Sequence, residues 1–298
     1  MEKTRRGTWR TGAGLLALAL FVTGAALLGP AGPAAAQDEV KREITNIAGD
    51  LYRFQNNFHV SVFLVTPEGV IATDPINAEA AQWLEAEIRE RFGQEIRYLV
   101  LSHDHVDHSS GGEVFADTAT VIAHENARRA IIGEQRPTAV PELTFNDRMT
   151  IELGGKRVEL IYPGRGHSDN LIVMYFPEER AVFTVDMISV KRVGYMTLTD
   201  AYIPDWIEAI RRVEAIDFDI LVPGHGPMGT KADASDHRAY MEDLYEEVLA
   251  AARAGQSLEE MQASITLDAY KDWGQYDKWR TLNIEGRLNN ISLHRRGN

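Results

Sequence analysis

The sequence predicts an α/β protein built from layers of sheet and helix. Three observations carry this. From residue 59 onward, short β-rich apolar runs alternate with stretches of helical periodicity, the pattern of stacked α/β layers. Several of those runs end in loops that carry His or Asp. Setting aside a leader-like N-terminus of 36 residues leaves 262 of the 298, a length that suits one large domain better than two small ones.

The leader comes first. Lys3, Arg5, Arg6 and Arg10 stand against Glu2, and an uncharged apolar run from Leu15 to Leu28 follows. Gly29, Pro30, Gly32 and Pro33 then lead into Ala34-Ala35-Ala36. This predicts a secretory signal peptide cut after Ala36. The apolar run is shorter than the roughly 20 residues of a membrane span. The expected product is therefore a periplasmic or secreted chain, 37–298, with no stable membrane insertion. Thr4-Arg5-Arg6 hints at twin-arginine export, but Gly7-Thr8-Trp9-Arg10 continues that signal poorly, so both export routes stay open.

Losing four basic residues and one acidic residue moves the net charge from −13 to −16. Such a surface repels phosphate backbones, which argues against nucleic acid and for a small-molecule partner. The chain has no cysteine. Disulfides, a thiolate nucleophile and a zinc–sulfur bond are therefore excluded.

His59 to Val65 is β-rich, Pro67-Glu68-Gly69 turns the chain, and Val70 to Thr73 completes a hairpin. Asn77 caps a helix to about Phe92, with Trp83, Leu84 and Ile88 on one face. A buried strand, Tyr98 to Leu101, follows. Further strands are expected at Thr120 to Ala123, Val158 to Ile161, Leu171 to Phe176, Ala181 to Val185 and Ile220 to Val222. Helices are expected at Glu125 to Ile132, Asp205 to Ile216 and Asp236 to Ala252, and a helical tail after Gln256 carries Trp273 and Trp279.

The chemistry concentrates in His103-Asp104-His105-Val106-Asp107-His108, directly after an apolar strand. Residues i and i+2 of an extended segment point the same way, so His103 and His105 can converge on one ion. A turn after them leaves Asp107 and His108 for a second. Imidazole and carboxylate donors suit zinc. His167, in Gly164-Arg165-Gly166-His167-Ser168-Asp169-Asn170, precedes an apolar strand, and His225, in Pro223-Gly224-His225-Gly226, follows one. Asp186 ends the run Val182-Phe183-Thr184-Val185. Singly, each of these is as well explained by structure; together they place five of the nine histidines at strand-end loops.

The H-x-H-x-D-H string, followed in order by His167, Asp186 and His225, resembles the metallo-β-lactamase superfamily, in detail from about Asn57 to Gly229. The resemblance implies a four-layer αββα sandwich with two zinc ions at its edge. It implies that His103, His105 and His167 hold one ion, that Asp107, His108 and His225 hold the other, and that Asp186 bridges them. A water acidified by the metals then attacks a carbonyl, and Asp107 orients it and handles its proton. Asp74, in Ile71-Ala72-Thr73-Asp74-Pro75, either supports the metal loop or is a simple strand-end turn residue.

Within the superfamily, His105 replaces the Glu of flavodiiron proteins, and Ser189 stands where acyl-homoserine lactonases carry Tyr. The segment Gly166–Asn170 with Leu171–Pro177 looks like subclass B1 β-lactamases. Those enzymes have Cys in place of Asp186 and lack His108. The implied substrate is a β-lactam or other amide, a lactone, an ester or a thioester. Two alternatives share the fold: a mono-iron sulfur-oxidation enzyme and a periplasmic accessory protein. Of the remaining histidines, His124 is read as structural, His237 and His294 as solvent-facing, and His59 as open. Lys191 and Arg192 could anchor a substrate carboxylate, although a solvated loop explains them more simply.

Overall fold

The computed structural model describes residues 40–199 and 202–294. The expected signal peptide, with its cut after Ala36, lies outside the described residues. A seven-stranded sheet runs in chain order: β1 (Arg42–Ala48), β2 (Leu51–Asn56), β3 (His59–Thr66), β4 (Gly69–Thr73), β5 (Ile96–Val100), β6 (Thr120–His124) and β7 (Leu143–Phe145). Strands β1 to β4 pair antiparallel and β4 to β7 parallel. Helix α1 (Ala78–Phe92) joins β4 to β5, the single turn α2 (Val106–Ser109) follows β5, and α3 (Glu125–Gly133) follows β6.

The second sheet has six strands: β8 (Arg148–Leu153), β9 (Lys156–Ile161), β10 (Val173–Phe176), β11 (Ala181–Val185), β12 (Ile220–Pro223) and β13 (Gly229–Thr230). Its pairings are antiparallel except β11 with β12. Helix α4 (Ile203–Glu214) precedes β12, and α5 (Lys231–Arg253), α6 (Leu258–Ser264) and α7 (Tyr276–Leu293) follow β13.

The strand period explains the layering. In β3, Val62 and Leu64 join a core with Val158, Leu160, Val173 and Phe183 of the second sheet. Phe63 between them faces a separate core with Leu84 and Ile88 of α1 and Ile131 of α3. Successive side chains point to opposite faces of a sheet, so both faces of the first sheet are covered. Ile207, Ile210, Leu244 and Val248 bring α4 and α5 onto the core that includes the second sheet. The expected αββα sandwich is the observed one.

The elements that sequence reading missed lack a strong apolar signal. Strand β1 is charged and half-exposed, as an edge strand should be. Helix α5 begins at Lys231 rather than Asp236. Its first turn is polar and is fixed by a capping box of Thr230 and Asp233. His237 is a correction. It was expected to face solvent because Asp236 and Arg238 flank it, yet it is only 2% exposed. It falls on the stripe Ala234, His237, Met241, Leu244, Val248, all buried along one face of α5. His294 is exposed as expected and packs edge-on to Tyr202.

The helical tail also anchors a loop. Asn283 of α7 is fully buried. Its amide donates to the carbonyls of Gly194 (2.9 Å) and Met196 (2.6 Å). Its carbonyl accepts from the Tyr240 hydroxyl of α5.

Candidate metal centre

The seven expected residues come together where loops of both sheets meet. His103 follows β5, and His105 caps α2, which carries Asp107 and His108. His167 lies between β9 and β10, Asp186 directly follows β11, and His225 follows β12. Two sets of potential donors result: His103, His105, His167 and Asp186, and Asp107, His108, Asp186 and His225. Asp186 belongs to both. Gly224 lets the groups approach: a Cβ there would lie 2.7 Å from His108 Cε1 and 2.9 Å from Asp186 Oδ1.

The spacing fits metal donors. In the first set, His167 Nε2 lies 3.0 Å from His105 Nδ1 and 3.4 Å from Asp186 Oδ2. In the second, His225 Nε2 lies 3.2 Å from His108 Nε2, 3.4 Å from Asp186 Oδ1 and 3.4 Å from Asp107 Oδ2. A tetrahedron with bonds of the zinc–imidazole length has edges of about 3.3 Å. His103 Nε2 is buried and has no hydrogen-bond partner. A buried, unpartnered ring nitrogen facing three other potential donors is what a bound cation would satisfy.

Neighbouring groups set which ring nitrogen faces the cluster. Asp74 is fully buried and accepts from the Ser102 backbone N–H (2.8 Å) and from Ser102 Oγ (2.7 Å). Ser102 Oγ, its proton committed to Asp74, accepts from His103 Nδ1 at 2.9 Å. That leaves the lone pair on His103 Nε2. Asp74 Oδ2 also lies 3.3 Å from His108 Nδ1. His225 Nδ1 donates to the Phe58 carbonyl at 3.0 Å. This is how metal-binding imidazoles are oriented and their tautomers fixed. Asp74 is therefore a support of the loop that carries His103 and His108 and not merely a turn residue.

Asp104, Arg136 and Asn170 were missed. Asp104 stands between His103 and His105 and is itself buried. It accepts from Asn170 Nδ2 (2.8 Å) and Arg136 Nη2 (2.9 Å), tying that loop to the His167 loop. The signal was the acid inside the motif itself. Trp206 of α4 packs its ring 5.7 Å from His167 and donates Nε1–H to the Met187 carbonyl, walling one side. His59 lies 3.6 Å from Asp107 Oδ2, so it borders the site.

Charge follows geometry. Burial and the rings of His108, His105 and His167 push His103 well below the usual histidine range. Burial works against ionisation of Asp186 and Asp107, yet the facing imidazoles outweigh it and hold both carboxylates below their usual range. His225 is pushed up to about 9, because Asp107 and Asp186 outweigh its burial. Two anionic carboxylates among imidazoles make a cation-seeking site.

Lys191 and Arg192 part company. Lys191 pairs with Asp236 and lies over Trp273. Arg192 lies 4.9 Å over Trp279 and lines a cavity of about 620 Å³ beside His225. Of the two candidates for a carboxylate anchor, the structure brings only Arg192 to the site, so it is not a plain solvated-loop residue.

The sequence profile of the metallo-beta-lactamase superfamily matches residues 49–225. The chain belongs to that superfamily. It is a superfamily of metallo-hydrolases and related enzymes. The chain is 27% identical over 210 residues to the type 2 metallo-beta-lactamase of Elizabethkingia meningoseptica, covering 67% of this chain and 81% of that one. It is 30% identical over 162 residues to the alpha subunit of 2,4-dinitroanisole O-demethylase from Nocardioides sp. strain JS1661. That match covers 53% of this chain and spans about half (49%) of the subunit. The fold superposes on a metallo-beta-lactamase from Pontibacter korlensis with a TM-score of 0.62, at 24% identity, over 68% of this chain and 99% of that one.

Proposed function

We propose that the protein is a dinuclear zinc hydrolase that cleaves an activated carbonyl compound, exported to the periplasm or beyond as a mature chain from about Gln37. The observation that carries the hydrolase reading is the pair of donor sets sharing Asp186 around an unpartnered His103 Nε2. The export reading rests on the basic, apolar and Ala34-Ala35-Ala36 pattern of the leader. No helix among the described residues is long and apolar enough to cross a membrane.

His103, His105, His167 and Asp186 would hold one zinc, and Asp107, His108, His225 and Asp186 the other. Bound there, two zinc ions supply an acidified water and a Lewis acid for the carbonyl oxygen. The chain's own groups do the rest. Asp107, 41% exposed and ionised, takes the proton of the attacking water and returns it to the leaving group. Asp74, Ser102 and the Phe58 carbonyl keep the ring nitrogens aimed. Trp206 packs beside His167 on one side of the cluster.

Mature protein purified after expression without added metal bias is expected to hold about two zinc ions per chain, as a dinuclear hydrolase requires. Elemental analysis is the check. One iron and no zinc would replace this reading with the mono-iron alternative.

The zinc-loaded protein is expected to turn over at least one of nitrocefin, a carbapenem, a lactone and a thioester, with chelation abolishing activity. β-Lactams turn over weakly, because Asp186 stands where the subclass B1 enzymes carry a thiolate ligand. 2,4-Dinitroanisole joins the panel because of the demethylase relative. The measurement is kcat/KM at one zinc concentration. No turnover of any compound by dizinc protein would reject hydrolysis in favour of the accessory-protein reading, and β-lactam turnover of about 10⁴ M⁻¹s⁻¹ or more would make the protein a β-lactamase.

A further inference from the structure

The loop that follows Asp186 is built in a way the sandwich alone does not explain. Three of its non-glycine residues, Lys191, Met196 and Leu198, hold positive φ angles of 47°, 46° and 50°. Such conformations cost free energy and persist only where the surroundings over-determine them. Tyr195 and Met196 are exposed, so a loop of this kind left to itself would open readily. Its hold comes from the end of the chain. Gly274 N–H donates to the Lys191 carbonyl at 2.8 Å, and Val193 N–H donates to the Gly274 carbonyl at 3.2 Å, which pairs Arg192 with Gly274 in a short parallel bridge. The buried Asn283 amide takes the Gly194 and Met196 carbonyls. The Trp279 ring lies against Arg192 and edge-on to Tyr195.

Two glycines bring the helix against the loop. A Cβ on Gly286 of α7 would lie 1.6 Å from the Thr197 carbonyl oxygen, and one on Gly194 would lie 2.6 Å from Leu198 Cδ2 and 3.0 Å from Asn283 Oδ1. Glycine weakens a helix interior, so its place at 286 goes with this close approach. The contact reaches the candidate metal centre by way of the cavity beside His225. Arg192 lines that cavity from the loop, and Gln275, itself at φ 63°, lines it from the residue that precedes α7. The gripping residues, 274–286, lie beyond the stretch 49–225 that matches the superfamily profile.

We propose that the C-terminal segment 274–286 decides which molecules reach the metal centre: Asn283 and Gly286 are positioning residues that hold 191–198 as a preformed cavity wall, and Gln275 completes that wall. A wall in place before binding costs a ligand less than a loop that must first be ordered. It also fixes the width of the mouth. Long molecules therefore meet the wall, whereas short ones that touch only the ions do not. The role in turnover rests on the hydrolase reading; the role in binding requires only bound zinc.

The test uses the zinc-loaded mature chain and three variants. Asn283→Ala removes both amide hydrogen bonds, and Gly286→Ala pushes α7 off the Thr197 carbonyl. Trp279→Leu, at a half-buried position, loosens the grip without touching the buried contacts and carries the test if the other two fold poorly. Hydrogen exchange over residues 189–199 is expected to run about 10-fold faster in each variant, the worth of one to two hydrogen bonds. The sheet strands keep their protection and zinc content stays at the wild-type value. Binding is read by calorimetry with two thiols that seek zinc, 2-mercaptoethanol and 4-phenylbutane-1-thiol. The ratio of their dissociation constants is expected to change about 5-fold or more, because the long thiol weakens and the short one does not. That pattern supports the proposal even where the wild type hydrolyses nothing, in which case the hydrolase reading alone fails. A thiol ratio equal to that of the wild type overturns it, whatever the exchange shows, and so does unchanged exchange. Loss of zinc together with the loop's protection also overturns it, because α7 would then brace the whole site rather than its wall.

Discussion

Asp186→Asn is expected to lower bound zinc from about two ions per chain to about one, and to cut turnover on the order of 10³-fold, the scale of losing one Lewis-acid centre. Asp186 Oδ2 lies 3.4 Å from His167 Nε2 and 3.5 Å from His108 Nε2, while Oδ1 lies 3.4 Å from His225 Nε2. The substitution removes the anion from both sets, but the sets do not suffer equally. The first keeps His103, His105 and His167, three imidazoles that make a sufficient protein ligand set for zinc. His103 is fully buried with its lone pair already directed by Ser102. The second keeps two imidazoles and Asp107, whose side chain is 41% exposed. Zinc stoichiometry by elemental analysis, with stepwise competition by a chelator, distinguishes the two. Equal loss of both ions, or loss of neither, contradicts a carboxylate shared between the sets.

The second large effect lies away from the metals. His237 is 2% exposed, neither ring nitrogen has a hydrogen-bond partner, and burial pushes its pKa down to about 4 from 6.5. The folded protein therefore holds this ring neutral while the unfolded chain protonates it. Below pH 6.5 the unfolded state binds more protons, so stability falls as pH falls, and the loss levels off below about 4. At about 1.4 kcal/mol per unit, the full window costs about 3 kcal/mol. His237→Leu removes this dependence. Urea unfolding of wild type and variant from pH 7.5 to 4 is expected to show curves that separate below pH 6.5, the variant increasingly the more stable. Parallel curves would mean that His237 gains a proton without leaving its site. Subtracting the variant cancels the metal-site protonation common to both proteins.

What was legible in the sequence follows from how strongly each signal constrains the chain. Strand β11 was read to the residue, Ala181–Val185, because both of its faces are buried and the run is wholly apolar. The clustering of the seven potential donors was legible because His and Asp concentrated after strands have few other reasons to recur. The expectation of an αββα sandwich came from the resemblance, and the two cores divided by alternating residues of β3 give its physical basis. Orientation was less legible. Nothing in Ile71-Ala72-Thr73-Asp74-Pro75 shows that Asp74 reaches Ser102 across 28 positions. The exposure expected of His237 failed because charged neighbours in sequence face away from it on a helix.

The latch at Asn283 has a wider meaning. The candidate metal donors sit on α2 and the loops of the sandwich, whereas the loop at 192–196 is gripped from outside by α7, through Asn283 and Trp279. Reactive machinery and selective wall thus answer to different parts of the polypeptide. On the proposed hydrolase reading, changes in the last helix would move the loop at 192–196 without touching the histidine and aspartate clusters. A protein divided in this way can diversify its diet while conserving its chemistry, and directed evolution of new substrate ranges should begin at α7 and leave the histidine loops untouched.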